Sequence, residues 1–455
     1  MHKIAIIQFP GLNTEYETRR EINRCGMRGE FFRWNDLPEK LAKYDGYVIG
    51  GGFSYEDRGR AGIIAALDPI MEVIKTQAGQ GKPVLGICNG AQILVESGLI
   101  PGIDGNKLAM ALARNKRING NGEILGSYYN AWVSFKCTSS KGSCMFTKNF
   151  NEGEIIQAPI AHGEGRFATD IPDLMLYLKA KDQMAFRYCD ETGVITDNFP
   201  VNPNGAMFNV AALSNPAGNV MAIMPHLERA SKASEKLFTS LRDSLNDRKA
   251  EGLGKNRVHH LNAKPISLWP LSVFQPQAKS LQMMIALIIT DNEAETFEMT
   301  LKNLGWPKVT LKRASHIELG YQGKPDLPKV MSKIIKSGLL LNTNKEWATV
   351  QFPKEKLTYD AKREKFLPIP KAENTDDAGI TFRLLVREKP DFVGTAKASA
   401  IQKRLKMSEV TGVLTGTLWE ITIPTKSQKV AQEELKKLVS THLFFNPHRQ
   451  SAFII

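Results

Sequence analysis

Lys82-Pro83-Val84-Leu85-Gly86-Ile87-Cys88-Asn89-Gly90 is the stretch whose reading decides the N-terminal fold. Its apolar run reads as a strand, and from Asn89 the pattern reads as a helix to about Ser97. Cys88 then falls on a sharp strand-to-helix turn. Such a turn leaves no room for Cβ atoms two positions either side, and Gly86 and Gly90 stand there. A cysteine at a helix N-terminus is favoured as thiolate by the helix dipole and the unpaired N–H groups. The same groups, that of Asn89 first, suit the stabilisation of an oxyanion. Cys88 is therefore the candidate nucleophile, while Cys25, Cys137, Cys144 and Cys189 read as structural.

Working outward, KIAIIQF (3–9) is an apolar run ended by Pro10-Gly11, after which Asn13/Thr14 is placed to cap a helix through about Cys25. GEFFRW (29–34) and YDGYVIGG (44–51) read as strands, and residues from about Arg60 to Gln80 carry helical spacing. This alternation implies an α/β fold with a parallel sheet covered on both faces. In such sheets the functional crevice lies beyond the carboxyl ends of the strands. Gly50-Gly51-Gly52 follows one strand and lets the backbone approach a ligand. A nucleotide loop is disfavoured, because GxxxxGK[ST] and a strand–GxGxxG–helix context are missing.

A cysteine nucleophile needs a base, and the base benefits from an orienting acid. Met224-Pro225-His226-Leu227-Glu228-Arg229 follows the apolar strand AGNVMAIM. His226 and Glu228, two apart, would share one face of an extended segment, with Glu228 fixing the imidazole tautomer.

The whole chain has 455 residues, of which 42% are hydrophobic and 24% charged, enough for two to four domains and too apolar for wholesale disorder. Apolar runs are too short to span a bilayer and the N-terminus lacks a secretory pattern, so a soluble, cytoplasmic protein is expected. Five cysteines without a CxxC pair argue against a disulfide framework and a zinc site. Net charge is +13, of which +9 falls in residues 271–455. These basic residues are dispersed among acids without a nucleic-acid motif, so a nucleic-acid partner is not expected.

Residues 1–250 form the first domain on this reading, and residues 251–280 lose periodicity and read as a linker, with His259-His260 solvated in it. A second irregular stretch, 352–377, separates two look-alike segments, 281–351 and 378–455. Leu339-Leu340-Leu341-Asn342 lies over Leu443-Phe444-Phe445-Asn446, and Trp347-Ala348-Thr349-Val350 over Ser451-Ala452-Phe453-Ile454, at a constant offset of 104. Upstream, Ile317-Glu318-Leu319 parallels Trp419-Glu420-Ile421. This reads as a degenerate tandem repeat, each copy a small α+β unit of β-α-β-β-α-β order.

GGFSYED, VLGICNGAQIL, PIAHGEGRF, NPNGA and MPHLER, in that order over residues 1–230, resemble the glutamine amidotransferase subunit of phosphoribosylformylglycinamidine synthase, a class I glutamine amidotransferase. The two repeats resemble, more weakly, the small S-type subunit of the same synthase. The resemblance implies a flavodoxin-like parallel-sheet amidotransferase domain followed by the repeats. Cys88 matches the family nucleophile, His226 the base and Glu228 its orienting residue. Gly52 and Asn89 match the oxyanion-hole N–H donors, with Gly51 the alternative to Gly52. Gln92 matches a position facing the bound glutamine. Glu56 departs from the family, which commonly has glycine in GGFSYGD.

The implied activity is hydrolysis of glutamine through a cysteine thioester, with ammonia passed to a large ATP-dependent subunit in purine biosynthesis. No cofactor or metal is implied in this chain; ATP and Mg are expected on the partner. The repeats would supply, within one chain, the small-subunit dimer that bridges the two. Two alternatives are a standalone cysteine hydrolase of the elbow type, which leaves the repeats unexplained, and a catalytically inert scaffold with a basic tail.

Overall fold

The computed structural model describes residues 1–120, 124–251, 266–369 and 379–455, so His259-His260 lies outside the described residues. The chain divides into two compact units, Met1–Ile266 and Ser267–Ile455.

In the first unit the order is β1 (Lys3–Gln8), α1 (Glu15–Arg24), β2 (Arg28–Arg33), β3 (Gly46–Ile49), α2 (Ile63–Ala66), α3 (Pro69–Gly79), β4 (Val84–Ile87) and α4 (Asn89–Glu96). There follow β5 (Ala111–Ala113), β6 (Tyr129–Cys137), β7 (Ile155–His162), β8 (Arg166–Ala168), α5 (Leu174–Ala180), β9 (Phe186–Tyr188), β10 (Val210–Ser214), β11 (Val220–Ile223) and α6 (Ser231–Glu251). Nine of the strands form one sheet in the order β2-β1-β3-β4-β11-β10-β9-β6-β7. Its first five strands are parallel and follow the flavodoxin-like order. Every residue of β3, β4 and β11 is buried, as expected of strands covered on both faces.

The remaining strands extend this parallel sheet with antiparallel neighbours. β10, β9, β6 and β7 join antiparallel. Asn215–Asn219 turns β10 directly into β11, with Gly218 N–H donating to the Asn215 carbonyl at 3.0 Å, so no helical crossover intervenes. The expected helix over 60–80 is also split. Asp68 accepts from Ile70 N–H at 3.0 Å and Pro69 takes the first helical position, which starts α3 afresh.

The second unit contains β12 (Ser272–Val273), β13 (Ser280–Leu287), α7 (Asn292–Asn303), β14 (Thr310–Tyr321), α8 (Leu327–Lys336), β15 (Glu346–Gln351), β16 (Lys356–Asp360) and β17 (Lys365–Pro368). After these come β18 (Ile380–Glu388), α9 (Phe392–Arg404), β19 (Val410–Ile423), α10 (Gln428–Ser440) and β20 (Gln450–Ile454). Each copy is therefore β-α-β-α-β, since the two middle strands expected from the sequence are one long strand, β14 or β19. Each long strand has two partners: β14 and β19 pair along their whole length, while half of each also pairs with β13 or β18.

The register reveals the symmetry of the pair. Ser315 pairs with Thr417, and the ladder mirrors itself about that point, Ile317 on Thr415 being matched by Arg313 on Trp419. Thr349 pairs with Met284 as Phe453 pairs with Leu385, the correspondence expected from the repeat alignment. The copies share side-chain packing too. Phe297 of α7 stacks on Trp419 of β19 at 4.4 Å and meets Phe444 at 5.8 Å, while Ile401 of α9 joins the core built on β13, β14 and α8. Neither copy buries its apolar face alone.

The two stretches read as linkers are partly sheet. β12 pairs with β20 at one edge, and β16–β17 extends from β15 at the other, burying Tyr359 against Phe366. The sheet thus ends on strands of two and four residues, and short edge strands limit edge-to-edge association.

Candidate functional site

The parallel pairing of β4 with β11 builds the site. Ile87 and Ile223 are register partners, so Cys88 and the segment Met224-Pro225-His226 leave the same end of the sheet side by side. Cys88 N–H donates to the Ile223 carbonyl at 2.8 Å, which fastens the turn to the neighbouring strand. Cys88 takes φ 52° and ψ −104°, a conformation L residues rarely adopt and one that the surroundings must hold. A Cβ on Gly90 would lie 2.0 Å from the Ile49 carbonyl oxygen, and one on Gly86 2.4 Å from that of Gly90. Both glycines are therefore steric requirements of the elbow.

His226 Nδ1 lies 2.6 Å from Glu228 Oε1, and the Cys88 side chain is near enough to act on the ring electrostatically. The extended segment expected here does not form. Instead Leu227–Arg229 make one turn of 3-10 helix, which brings the two side chains together. His226 N–H donates to the Pro159 carbonyl at 2.9 Å and so fixes the turn against β7. Cys88 is 4% and His226 3% exposed. Burial presses the imidazole pKa down, but the Cys88 and Glu228 charges overcome it and raise it to about 10. The arrangement favours the protonated imidazole.

The glycine loop after β3 lies against this pair. A Cβ on Gly51 would fall 2.6 Å from His226 Cε1 and 3.4 Å from Cys88 Cβ. Gly51 N–H donates to Thr14 Oγ1 at 2.7 Å. Thr14 was expected to cap α1, yet its side chain makes no cap bond there and serves the loop instead. By contrast, neither Gly52 N–H nor Asn89 N–H meets an acceptor among the described residues. Gly52, at φ 141°, passes so close to Gly11 and Leu12 that a Cβ would sit 2.6 Å from both.

Gln92 is buried, its amide bridging Asn89 Nδ2 at 2.8 Å and the Glu164 carbonyl at 2.6 Å. It thus ties the elbow to the His162–Arg166 loop. The NPNGA segment reaches the same loop, Asn204 Nδ2 donating to the Gly165 carbonyl at 2.8 Å.

Several contributors carry no role in the sequence reading. Asn115 holds the loop from the other side, accepting from Gly165 N–H and donating to the His162 carbonyl. His162 is buried and neutral, its pKa lowered to about 3 by burial and then by the charge of His226. Asp57 accepts from Asn89 Nδ2 at 3.1 Å, and burial followed by the Glu164 charge pushes its pKa up to about 7. Asp57, His162, Glu164 and Asn204 all stand inside quoted motifs, which was the available signal; Thr14 and Asn115 gave none. Glu56 takes φ 58° between Tyr55 and Asp57, also left-handed, which explains why glycine suits that place.

Among the described residues no group of three His, Cys, Asp or Glu side chains gathers as a metal site, and no helix is long and apolar enough to cross a membrane.

An elbow cysteine, a carboxylate-oriented histidine and open backbone donors at the end of a flavodoxin-like sheet define a triad-type acyl-transfer site. Residues 1–251 match the CobB/CobQ-like glutamine amidotransferase domain, and the chain belongs to that family. Phosphoribosylformylglycinamidine synthase subunit PurQ of Methanothrix thermoacetophila is 48% identical over 228 residues, covering 50% of this chain and 86% of its own length. The subunit of the same name from Pyrococcus furiosus is 42% identical over 231 residues, covering 51% of this chain and 90% of its own. The structure of PurLQS from Thermotoga maritima is similar at 28% identity, over 54% of this chain and 99% of that one, with a TM-score of 0.42. The N-terminal unit is thus a PurQ-like glutamine amidotransferase.

Proposed function

We propose that this chain is the glutaminase component of phosphoribosylformylglycinamidine synthase, and that Cys88, His226 and Glu228 carry its chemistry. The Cys88 thiolate attacks the side-chain carboxamide carbon of glutamine. Charge develops on the amide oxygen and is taken by the N–H groups of Gly52 and Asn89; the open state of both, with Gly51 N–H held by Thr14, favours Gly52 over Gly51. Losing one such donor costs on the order of 3 kcal/mol of transition-state stabilisation. His226 gives its proton to the departing nitrogen, ammonia leaves, and a thioester remains on Cys88. Water then attacks the thioester carbon, His226 takes its proton, and glutamate departs.

Glu228 keeps the imidazole oriented throughout, and Gln92 holds the wall of the site. Ammonia passes to a separate ATP-using subunit, which holds ATP and Mg and converts formylglycinamide ribonucleotide to the amidine. The C-terminal unit acts as the bridge, its two copies standing in for a dimer of small subunits. The mirrored β14–β19 ladder and the shared core support that reading.

The His226–Glu228 hydrogen bond beside Cys88, on an elbow that only glycines permit, carries this proposal. Cys88→Ala in the full chain should abolish glutamate release, with and without the large subunit, while synthesis fed by free ammonium continues. Retained glutaminase activity would refute it.

A further inference from the structure

Thr14 precedes α1 but does not cap it. A threonine there ordinarily accepts from an early N–H of its own helix, and this one makes no such bond. Its side chain is buried and serves the glycine loop, Oγ1 accepting from Gly51 N–H at 2.7 Å. The chain just before it is locked to the same loop. Asn13 N–H donates to the Gly51 carbonyl at 3.0 Å and Phe53 N–H to the Gly11 carbonyl at 2.9 Å, with Leu12 and Gly52 as antiparallel partners between the two bonds. A residue so placed turns its own N–H away from the partner segment. The planar trans peptide agrees: the Gly51 carbonyl faces Asn13, so Gly52 N–H faces the opposite way. From the elbow side, Gly90 N–H donates to the Gly50 carbonyl at 3.0 Å. No side chain can stiffen this loop from within. A Cβ on Gly51 would fall 2.6 Å from His226 Cε1, and one on Gly50 2.7 Å from Thr14 Oγ1. Glycine backbone is free to rotate, so the direction of Gly52 N–H is set by these external bonds.

We propose that Thr14 is a positioning residue for the oxyanion hole: by holding Gly51 N–H, its hydroxyl fixes the glycine backbone so that Gly52 N–H is presented to the amide oxygen of glutamine. The inference rests on the proposed glutaminase function and adds to it a residue that belongs to none of the sequence motifs. Thr14 acts through the backbone and not on the reacting atoms. Without the hydroxyl, Gly51 N–H becomes a buried donor lacking a partner. Rotation of the glycine backbone relieves that and carries Gly52 N–H out of line.

The test compares wild type, Thr14→Val, Thr14→Ala and Thr14→Ser full chains in two assays. One is glutamate release from glutamine with the ATP-using subunit and nucleotide present. The other is alkylation of Cys88 by iodoacetamide, in which the thiolate sulfur bonds to the methylene carbon, iodide leaves and no oxyanion forms. Thr14→Val and Thr14→Ala should lower kcat about 10²–10³-fold with KM within about twofold, the effect of a lost oxyanion donor. Iodoacetamide should label Cys88 in both at the wild-type rate and with the wild-type pH profile. Thr14→Ser, which keeps the hydroxyl, should restore kcat to within a few-fold of wild type. Wild-type kcat in Thr14→Val and Thr14→Ala overturns the inference. A parallel fall in alkylation marks a packing role and overturns it too, as does a loss that Thr14→Ser fails to restore. A wild-type chain that is alkylated at Cys88 but releases no glutamate overturns the glutaminase reading, and the inference with it.

Discussion

The pattern of a histidine, an aliphatic residue and a glutamate occurs once in each unit, as His226-Leu227-Glu228 and as His316-Ile317-Glu318, and the two histidines behave oppositely. In the first, a 3-10 turn presses ring and carboxylate to 2.6 Å, and the imidazole pKa rises to about 10. In the second the residues lie on β14, and the carboxylate takes other partners. Glu318 turns to Arg387 at 2.8 Å, to Ser280 and to the backbone N–H of Gln277. His316 is left against that guanidinium and the ring of Phe274; burial and then Arg387 lower its pKa to about 4. One is a charged group at a strand end, which we propose as the acid–base residue, the other a neutral filler in mid-sheet. Local backbone geometry, and what else claims the carboxylate, decides the chemistry of the pattern.

The comparison breaks most sharply at the carboxylates. Glu228→Gln should lower glutamine turnover about 10⁴-fold by releasing the imidazole tautomer. Glu318→Gln should leave turnover intact but cost the second unit about 3–5 kcal/mol, because Arg387 loses its buried partner. Chemical denaturation followed beside the glutaminase assay separates the two effects. Phe297→Ala offers a control without charge. It empties the stack on Trp419 and should destabilise the second unit by about 3–5 kcal/mol with no change in turnover.

Proton linkage sharpens the contrast further. The folded pKa of His226 lies above its free value near 6.5, so its contribution is complete below that pH and is lost as pH rises through about 10. His162 and His316 lie below the free value, so theirs is complete above about 6.5 and is lost as pH falls toward 3 and 4. NMR titration of the imidazole protons should show one histidine charged at neutral pH and these two neutral. The smallest effect belongs to Glu56→Gly, which relieves a left-handed side-chain residue and should add up to about 1 kcal/mol, read as a higher denaturation midpoint.

What was legible follows from these contrasts. The elbow could be read because a turn that tight dictates glycine at Gly86 and Gly90 whatever surrounds it. The apolar strands β1, β3, β4 and β11 could be read because burial on both faces forces an unbroken apolar run. β6 alternates buried with half-exposed residues and so belongs to an antiparallel edge, a pattern the parallel reading passed over. The 3-10 turn at Leu227–Arg229 has no sequence mark, since it is imposed by the bond from His226 to Pro159 on a distant strand. Thr14 and Asn115 were invisible for the same reason: each acts through a partner 37 or more positions away. The join of the middle strands into β14 and β19 depends on the other copy pairing along the whole length, which no single copy announces.

We propose that Cys88 alone among the five buried cysteines reacts as a nucleophile. Treatment of the full chain with a glutamine-analogue electrophile, followed by peptide mass spectrometry, tests it most directly. The account predicts one adduct per chain, on Cys88, formed far more slowly in His226→Ala and absent in Cys88→Ala. An adduct on Cys25, Cys137, Cys144 or Cys189, or labelling of Cys88 at the same rate without the histidine, would contradict it.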